Sequence, residues 1–175
     1  MVDEFGSNVN LTRLRGWSPA GKRVVDRVPR NTPCNTTTIA SLTTGGMGAA
    51  LRVRGGVDRQ TFETYLEQVL GPTLRPGQVV VVDNLSAHHG GRCVQIVASF
   101  GCELVYLPPY SPDFSPIELA ISLLKADLRR AAARSLDALD DAIAAAFLLV
   151  TPAHASAFFA HCGFRFWPED QLLCT

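Results

Sequence analysis

The chain has 175 residues, 47% of them hydrophobic, with 16 basic and 16 acidic side chains and a net charge of zero. That length suits one domain with a sizeable core, and the composition excludes a disordered chain. No apolar run approaches the ~20 residues a membrane helix needs, and the opening MVDEFGSN lacks the basic and apolar regions of a secretion signal. A cytoplasmic protein with no membrane partner is therefore expected.

In chain order, residues Asp3 to Leu14 read as extended, and Gly16 to Pro33 as a polar, basic loop broken by Gly and Pro. Asn35 to Thr44 and Ala49 to Arg54 read as two strands, with Gly45, Gly46 and Gly48 marking a hairpin turn. Asp58 is placed to cap a helix on which Phe62, Leu66, Val69 and Leu70 recur at helical spacing. Val79 to Val82 is a continuous β-branched run, the pattern of a strand buried on both faces, and it ends at Asp83. Gly91 to Phe100 predicts a short helix and Glu103 to Leu107 a short strand. A turn containing Pro108, Pro109, Pro112 and Pro116 follows, then helices over Pro116 to Ala133, Leu136 to Val150 and Pro152 to Cys162. Extended elements first, then strands alternating with helices, predict an α/β protein with a mixed sheet flanked by helices. A helical C-terminal extension completes it.

The five cysteines, Cys34, Cys93, Cys102, Cys162 and Cys174, are odd in number and form no Cys-x-x-Cys pair. Reduced, mostly buried thiols are expected, with neither a zinc site nor a disulfide framework. The balanced net charge is not that of a dedicated nucleic-acid binder, but the charges are unevenly placed. Arg13, Arg15, Lys22, Arg23, Arg27 and Arg30 form one basic cluster, and Lys125, Arg129, Arg130 and Arg134 a second, whereas the last forty residues are acidic. Each cluster fits a solvated surface; two of them flanking a carboxylate site also suit a phosphate backbone.

Asp83 follows a buried strand, and in open α/β sheets ligands gather outside the carboxyl ends of the strands. Asp83 and Asn84 are thus delivered to a candidate site, although an Asp in that place also fits a simple turn cap. Glu118 has two readings as well. Ser115-Pro116-Ile117-Glu118 has the pattern of a capping box. Yet Ile117, Ile121, Leu124, Leu128 and Ala131 make a core face, and Glu118, Ser122, Lys125 and Arg129 lie on another. A carboxylate heading a row of basic residues suits a metal ion beside a phosphate backbone. Asp3 and Glu4 are adjacent, so on a strand only one of them faces any given site.

Taken together, the segment from VVVVDNLSAH through LVYLPPYSPDFSPIELAISLLK resembles the transposases of the mariner superfamily, and within it the bacterial six-thirty insertion-sequence family. Those enzymes carry an Asp on a strand, a proline-rich turn and a Glu after thirty-four intervening residues, the spacing between Asp83 and Glu118 here. The opening VDEFG resembles the segment that bears the family's first acidic ligand, which maps onto Asp3. Arg15-Gly16-Trp17 with Gly21 resembles its early loop, and His161-Cys162-Gly163-Phe164 its end. Ser115 departs from the family's usual Asn, and Ile121 stands where Trp is frequent.

The resemblance implies a ribonuclease-H-like fold and a catalytic, metal-ligating triad of Asp3, Asp83 and Glu118. Hard carboxylate oxygens of that kind select Mg²⁺ or Mn²⁺, in this family as two ions. It also implies hydrolysis of DNA at transposon ends, followed by attack of the freed 3′-hydroxyl on target DNA, typically at a TA dinucleotide. Asn84, His88, Lys125 and Arg129 are the candidate DNA contacts. The expected partners are DNA and either a second copy of the chain or an upstream-encoded DNA-binding half. The expectation is one catalytic domain over residues 1–175, without the family's helix-turn-helix region and with a first strand cut short before Asp3. Two other readings share these residues: a different ribonuclease-H-like nuclease, such as a resolvase or an RNA-cleaving enzyme, and an inactive split or truncated transposase fragment.

Overall fold

A computed structural model describes residues 1–30, 35–84, 91–109 and 111–165. Five strands form one sheet: β1 (Val2–Ser7), β2 (Thr36–Thr43), β3 (Gly46–Arg54), β4 (Val79–Val82) and β5 (Glu103–Tyr106). Their spatial order is β3-β2-β1-β4-β5. β1, β2 and β3 pair antiparallel, whereas β4 is parallel to both β1 and β5. Such a mixed sheet with helices on both faces is the expected ribonuclease-H-like arrangement. No single helix among the described residues is long and apolar enough to cross a membrane.

Strand alternation sends β1 side chains to opposite faces in turn. Val2 joins a core on one face with Ile39, Val80, Val82 and the helices that precede β4 and β5. Phe5 joins a core on the other face, built on α3 (Pro116–Ala131), α4 (Leu136–Phe147) and α5 (Pro152–His161). The predicted core face of α3 holds at Ile117, Ile121, Leu124 and Leu128, and Ala120 joins it. Each buried Leu or Ile there stabilises the fold by roughly 1.5–3 kcal/mol. Ala131 is exposed instead, because the helix is ending: Ala132 takes up a left-handed conformation with φ 49°. The helical C-terminal extension is part of the main core, since Leu139, Ile143, Ala146, Ala155 and Phe159 pack in the same cluster as α3.

Several boundaries differ from the sequence expectation. β1 ends at Ser7, because the Asn8 carboxamide oxygen accepts from the Asn10 N–H at 3.2 Å and turns the chain. Residues 12–30 form a long exposed loop, as its Gly, Pro and charge content predicts. The hairpin turn is Thr44-Gly45, and β3 already begins at Gly46. Gly46 has φ 114°, and a Cβ there would lie 2.5 Å from the Val150 carbonyl oxygen, so glycine is required twice over. Asp58 caps α1 (Arg59–Thr64), accepting from the Thr61 N–H at 2.8 Å. The helix continues as a π turn, Tyr65–Leu70, and a 3-10 turn, Gly71–Thr73. Buried Tyr65, outside the apolar repeat read from the sequence, donates its hydroxyl to the Ala49 carbonyl at 3.0 Å.

The Phe100 ring lies across Gly71, where an added Cβ would sit 2.3 Å from it and 2.9 Å from the Leu66 carbonyl oxygen. Gly71→Ala is therefore expected to destabilise the protein by about 1–3 kcal/mol, read as a lower urea midpoint at unchanged slope. A neutral result would show that the ring moves aside freely.

β4 is not buried on both faces. Val80 and Val82 are buried, but Val79 is 51% exposed, although the strand lies inside the sheet. Three cysteines among the described residues, Cys93, Cys102 and Cys162, are free and buried, as expected; Cys34 and Cys174 lie outside those residues.

Candidate active site

Three elements converge on one pocket of about 370 Å³. It is lined by Asp3, Asp83, Asn84, Ser115 and Glu118, with Leu107, Pro108, Pro109, Ser111 and Pro112 completing the wall. The strand register explains the first two acids. Val2 pairs with Val82 on parallel neighbours, so Asp3 and Asp83 each follow one residue further on. Adjacent strands are about 4.8 Å apart. Val2 and Val82 both point into the first core, so alternation turns Asp3 and Asp83 together to the α3 face. Glu4, of opposite pleat, is not among the pocket residues. Of the adjacent pair in the sequence, Asp3 is thus the one that faces the site.

Glu118 arrives from the other side. The proline-rich turn ends in a short 3-10 segment, Pro112–Phe114, and α3 starts at Pro116, which sets Glu118 in its first turn. The capping box does not form. Ser115 is buried and makes no side-chain cap hydrogen bond, and only its carbonyl accepts from the Glu118 N–H, at 3.1 Å. Glu118 is exposed, with its carboxylate at the pocket wall.

Asp3 is 8% exposed and accepts from the Glu4 N–H at 2.7 Å. Burial pushes its carboxyl up from 3.8 to about 7 against that hydrogen bond, and the charges of Glu118, Asp83 and Glu4 push the same way. The acids therefore sense one another. They are not drawn into one coordination sphere, however: among the described residues no three His, Cys, Asp or Glu side chains are grouped as ion ligands. Carboxylates ~4 Å apart repel by roughly 4 kcal/mol at an effective dielectric near 20, so a closer grouping calls for a cation. The donor set itself, all hard oxygens with one buried carboxyl that resists ionising alone, fits a hard divalent cation such as Mg²⁺ or Mn²⁺.

Among the candidate DNA contacts, Asn84 lines the pocket. Lys125 and Arg129 are half-buried on α3 and do not line it, and His88 lies outside the described residues. One basic residue has a different role from its cluster. Arg134 donates to the carbonyls of Val9 and Leu11, at 2.9 and 2.8 Å, and ties the end of α3 to the chain after β1. The sequence reading also missed Ser111 and Ser115 as pocket residues. Their place within the proline-rich turn was the available signal.

The ribonuclease-H-like sheet thus sets two aspartates side by side, with a glutamate on the facing helix. The model of the DDE superfamily endonuclease family matches residues 1–140, and the chain belongs to that family. A search of curated proteins finds no match. Among solved structures, the Mos1 transposase paired-end complex with left transposon end is similar at TM-score 0.69 and 15% identity, over 93% of this chain and 50% of that one. The Mos1 strand transfer complex is similar at TM-score 0.67 and 16% identity, over 93% and 49%. The catalytic domain of Mos1 mariner transposase gives TM-score 0.52 at 14% identity, over 77% of each chain. At such identities the likeness is one of fold. This chain spans about half the length of the full transposase chains it matches.

Proposed function

We propose that the chain is the catalytic domain of a cut-and-paste DNA transposase of the mariner superfamily, within the bacterial six-thirty insertion-sequence family. The observation that carries this reading is the convergence of Asp3, Asp83 and Glu118 on one pocket in a DDE superfamily endonuclease domain. Their spacing and the proline-rich turn support the narrower assignment. Solved Mos1 complexes hold transposon-end DNA, and two of them are described with Mn and with Mg. DNA ends and target DNA are the corresponding substrates here, with a second copy of the chain or a separate DNA-binding half as protein partner.

In this reading Asp3, Asp83 and Glu118 hold Mg²⁺ or Mn²⁺. Once bound, the ions supply the charge that activates water or a 3′-hydroxyl and stabilises the leaving oxygen. Asp3 is the rigid member, fixed by β1 and by the Glu4 N–H. Glu118, exposed on the first turn of α3, would complete the ligand set. Half-buried Leu107 and the exposed prolines Pro108 and Pro109 line one side of the pocket. Asn84 offers a donor and an acceptor beside the reacting phosphate. Lys125 and Arg129, two and three turns further along α3, lie where the backbone of a bound duplex is neutralised.

The test is strand transfer. A duplex ending in a 3′-hydroxyl is incubated with supercoiled plasmid and Mn²⁺, and joined product is sequenced. Joining at TA sites is expected, with weaker binding and a shallower salt dependence in a Lys125→Ala/Arg129→Ala chain. Cleavage of the RNA strand of a hybrid, with no DNA joining, would favour the RNA-cleaving alternative and sink this reading.

A further inference from the structure

The helices α1, α4 and α5 each begin with a residue whose side chain closes the first turn. Asp58, Ser135 and Thr151 have ψ of 174°, 163° and 162°, and they accept from the N–H groups of Thr61, Ala138 and His154. Ser115 opens α3 with a residue of the same kind on a different backbone, at ψ 89°. There the carbonyl, not the hydroxyl, takes the Glu118 N–H, at 3.1 Å, and the Ser115 N–H donates to the Pro112 carbonyl at 2.9 Å. Both backbone groups are committed, so the residue is held from either side.

The hydroxyl is left over. Ser115 is only 6% exposed, yet among the described residues its side chain makes no hydrogen bond. Burying a donor without a partner is unfavourable. Ser115 also lines the acid pocket, where none of the three carboxylates takes its proton. An acceptor that enters the pocket would satisfy it. The wall nearby is poor in other donors. Pro108, Pro109 and Pro112 have no N–H. The Ser111 hydroxyl donates to the Pro109 carbonyl at 3.2 Å, and ionised carboxylates only accept. At the start of α3, by contrast, an incoming anion meets this hydroxyl and the positive end of a 16-residue helix.

We infer that Ser115 donates its hydroxyl to a non-bridging oxygen of the phosphate that reacts in this pocket, and is a further catalytic residue beside the three acids. The inference rests on the reading of the pocket as a phosphodiester site. Such a hydrogen bond is charge-assisted, and it strengthens as negative charge builds on the phosphate oxygens. The roles are divided: the acids hold the ions, and Ser115 holds the phosphate.

Ser115→Ala tests it, by thermal unfolding with and without Mg²⁺ and by joining of a 3′-hydroxyl duplex to a short target duplex with one TA step in Mn²⁺. Ser115→Ala is expected to keep its Tm, whereas loss of a helix cap would lower it by about 2–4 °C. The rise in Tm on adding Mg²⁺ should be the same in both chains. Joining should slow about 10- to 100-fold. Two further targets carry sulfur in place of one or the other non-bridging oxygen at the joined step. Sulfur accepts hydrogen bonds poorly, and Mn²⁺ tolerates it as a ligand. One of the two is expected to slow the starting chain and to leave Ser115→Ala no slower than with oxygen. Equal joining by the two chains overturns the inference and leaves the reading of the pocket standing. A fall in Tm by a cap's worth overturns it too, as does a smaller Mg²⁺ response, which would make Ser115 part of the ion site. So does a sulfur effect that is absent from the starting chain or equal in both chains. A starting chain that neither responds to Mg²⁺ nor joins DNA overturns the underlying reading, and this inference with it.

Discussion

Asp83→Ala is expected to leave the fold standing and to reduce metal-dependent DNA joining by at least about a thousandfold. Asp83 is half-buried at the end of β4, outside both apolar cores, so its truncation opens no core cavity. Its charge is also one of those that push the Asp3 carboxyl upward, so its removal relieves a repulsion. A stability change within roughly 1 kcal/mol follows. Catalysis has no such margin. A bound ion supplies several kcal/mol of charge stabilisation in the transition state, and ~4 kcal/mol is a factor of about a thousand in rate. Thermal unfolding separates the two effects. Mg²⁺ or Mn²⁺ at ~100 times its dissociation constant stabilises the starting chain by about 2.7 kcal/mol and leaves Asp83→Ala unmoved. If both chains respond equally, Asp83 is not a ligand, and the assignment of the pocket fails.

The second large effect lies in the pH dependence of stability without divalent ions. The Asp3 carboxyl sits at about 7 in the fold against 3.8 in an open chain. Between about pH 4 and pH 7 the folded state therefore holds a proton that the unfolded state has released. Stability falls as pH rises through that window, and it is level with respect to this group below and above it. The full cost above pH 7 is up to about 4 kcal/mol. Asp3→Asn removes this cost while keeping an oxygen to accept from the Glu4 N–H. It is expected to be the more stable chain at pH 8 in chelator, and the two should converge towards pH 4. Saturating Mg²⁺ should reverse the order at pH 8, because only the carboxylate gains from the ion. Urea midpoints across this pH range decide the matter, and parallel curves for the two chains would falsify the account.

These two effects share an origin in an acid placed where it cannot ionise cheaply by itself. Stability given up at Asp3 would be recovered when an ion binds there, and the rest of β1 is well packed. α3 contributes Glu118 from its first turn while the rest of its inner face is committed to the core, at Ile117, Ile121, Leu124 and Leu128. The element that presents Glu118 is thus held by packing that does not depend on Glu118.

Much of the architecture was legible in the residues. Alternation and β-branching located the strands, Asp58 located its helix start, and the spacing on α3 separated a core face from a polar one. The two acids around the proline-rich turn were legible through their separation and through the resemblance that it carried. Other features were not. Ser115 has the pattern of a helix cap and makes no side-chain cap hydrogen bond; it is buried at the pocket instead. Arg134 counts as a surface charge in the sequence and serves as a tie between α3 and the segment after β1. The run Val79 to Val82 promised burial on both faces, and the sheet withholds it from Val79.

By itself, then, the sequence determined the kinds and order of elements, because those depend on local periods of two and 3.6 residues and on residues that start or stop them. It also determined which acids were available. Only the tertiary structure decided that Asp3 and Asp83 stand side by side and that Glu4 is turned away. Those outcomes hang on the register of β1 against β4. A shift of one residue would turn every side chain of β1 to the other face, and register is set by packing on both sides of the sheet, not by any spacing along the chain.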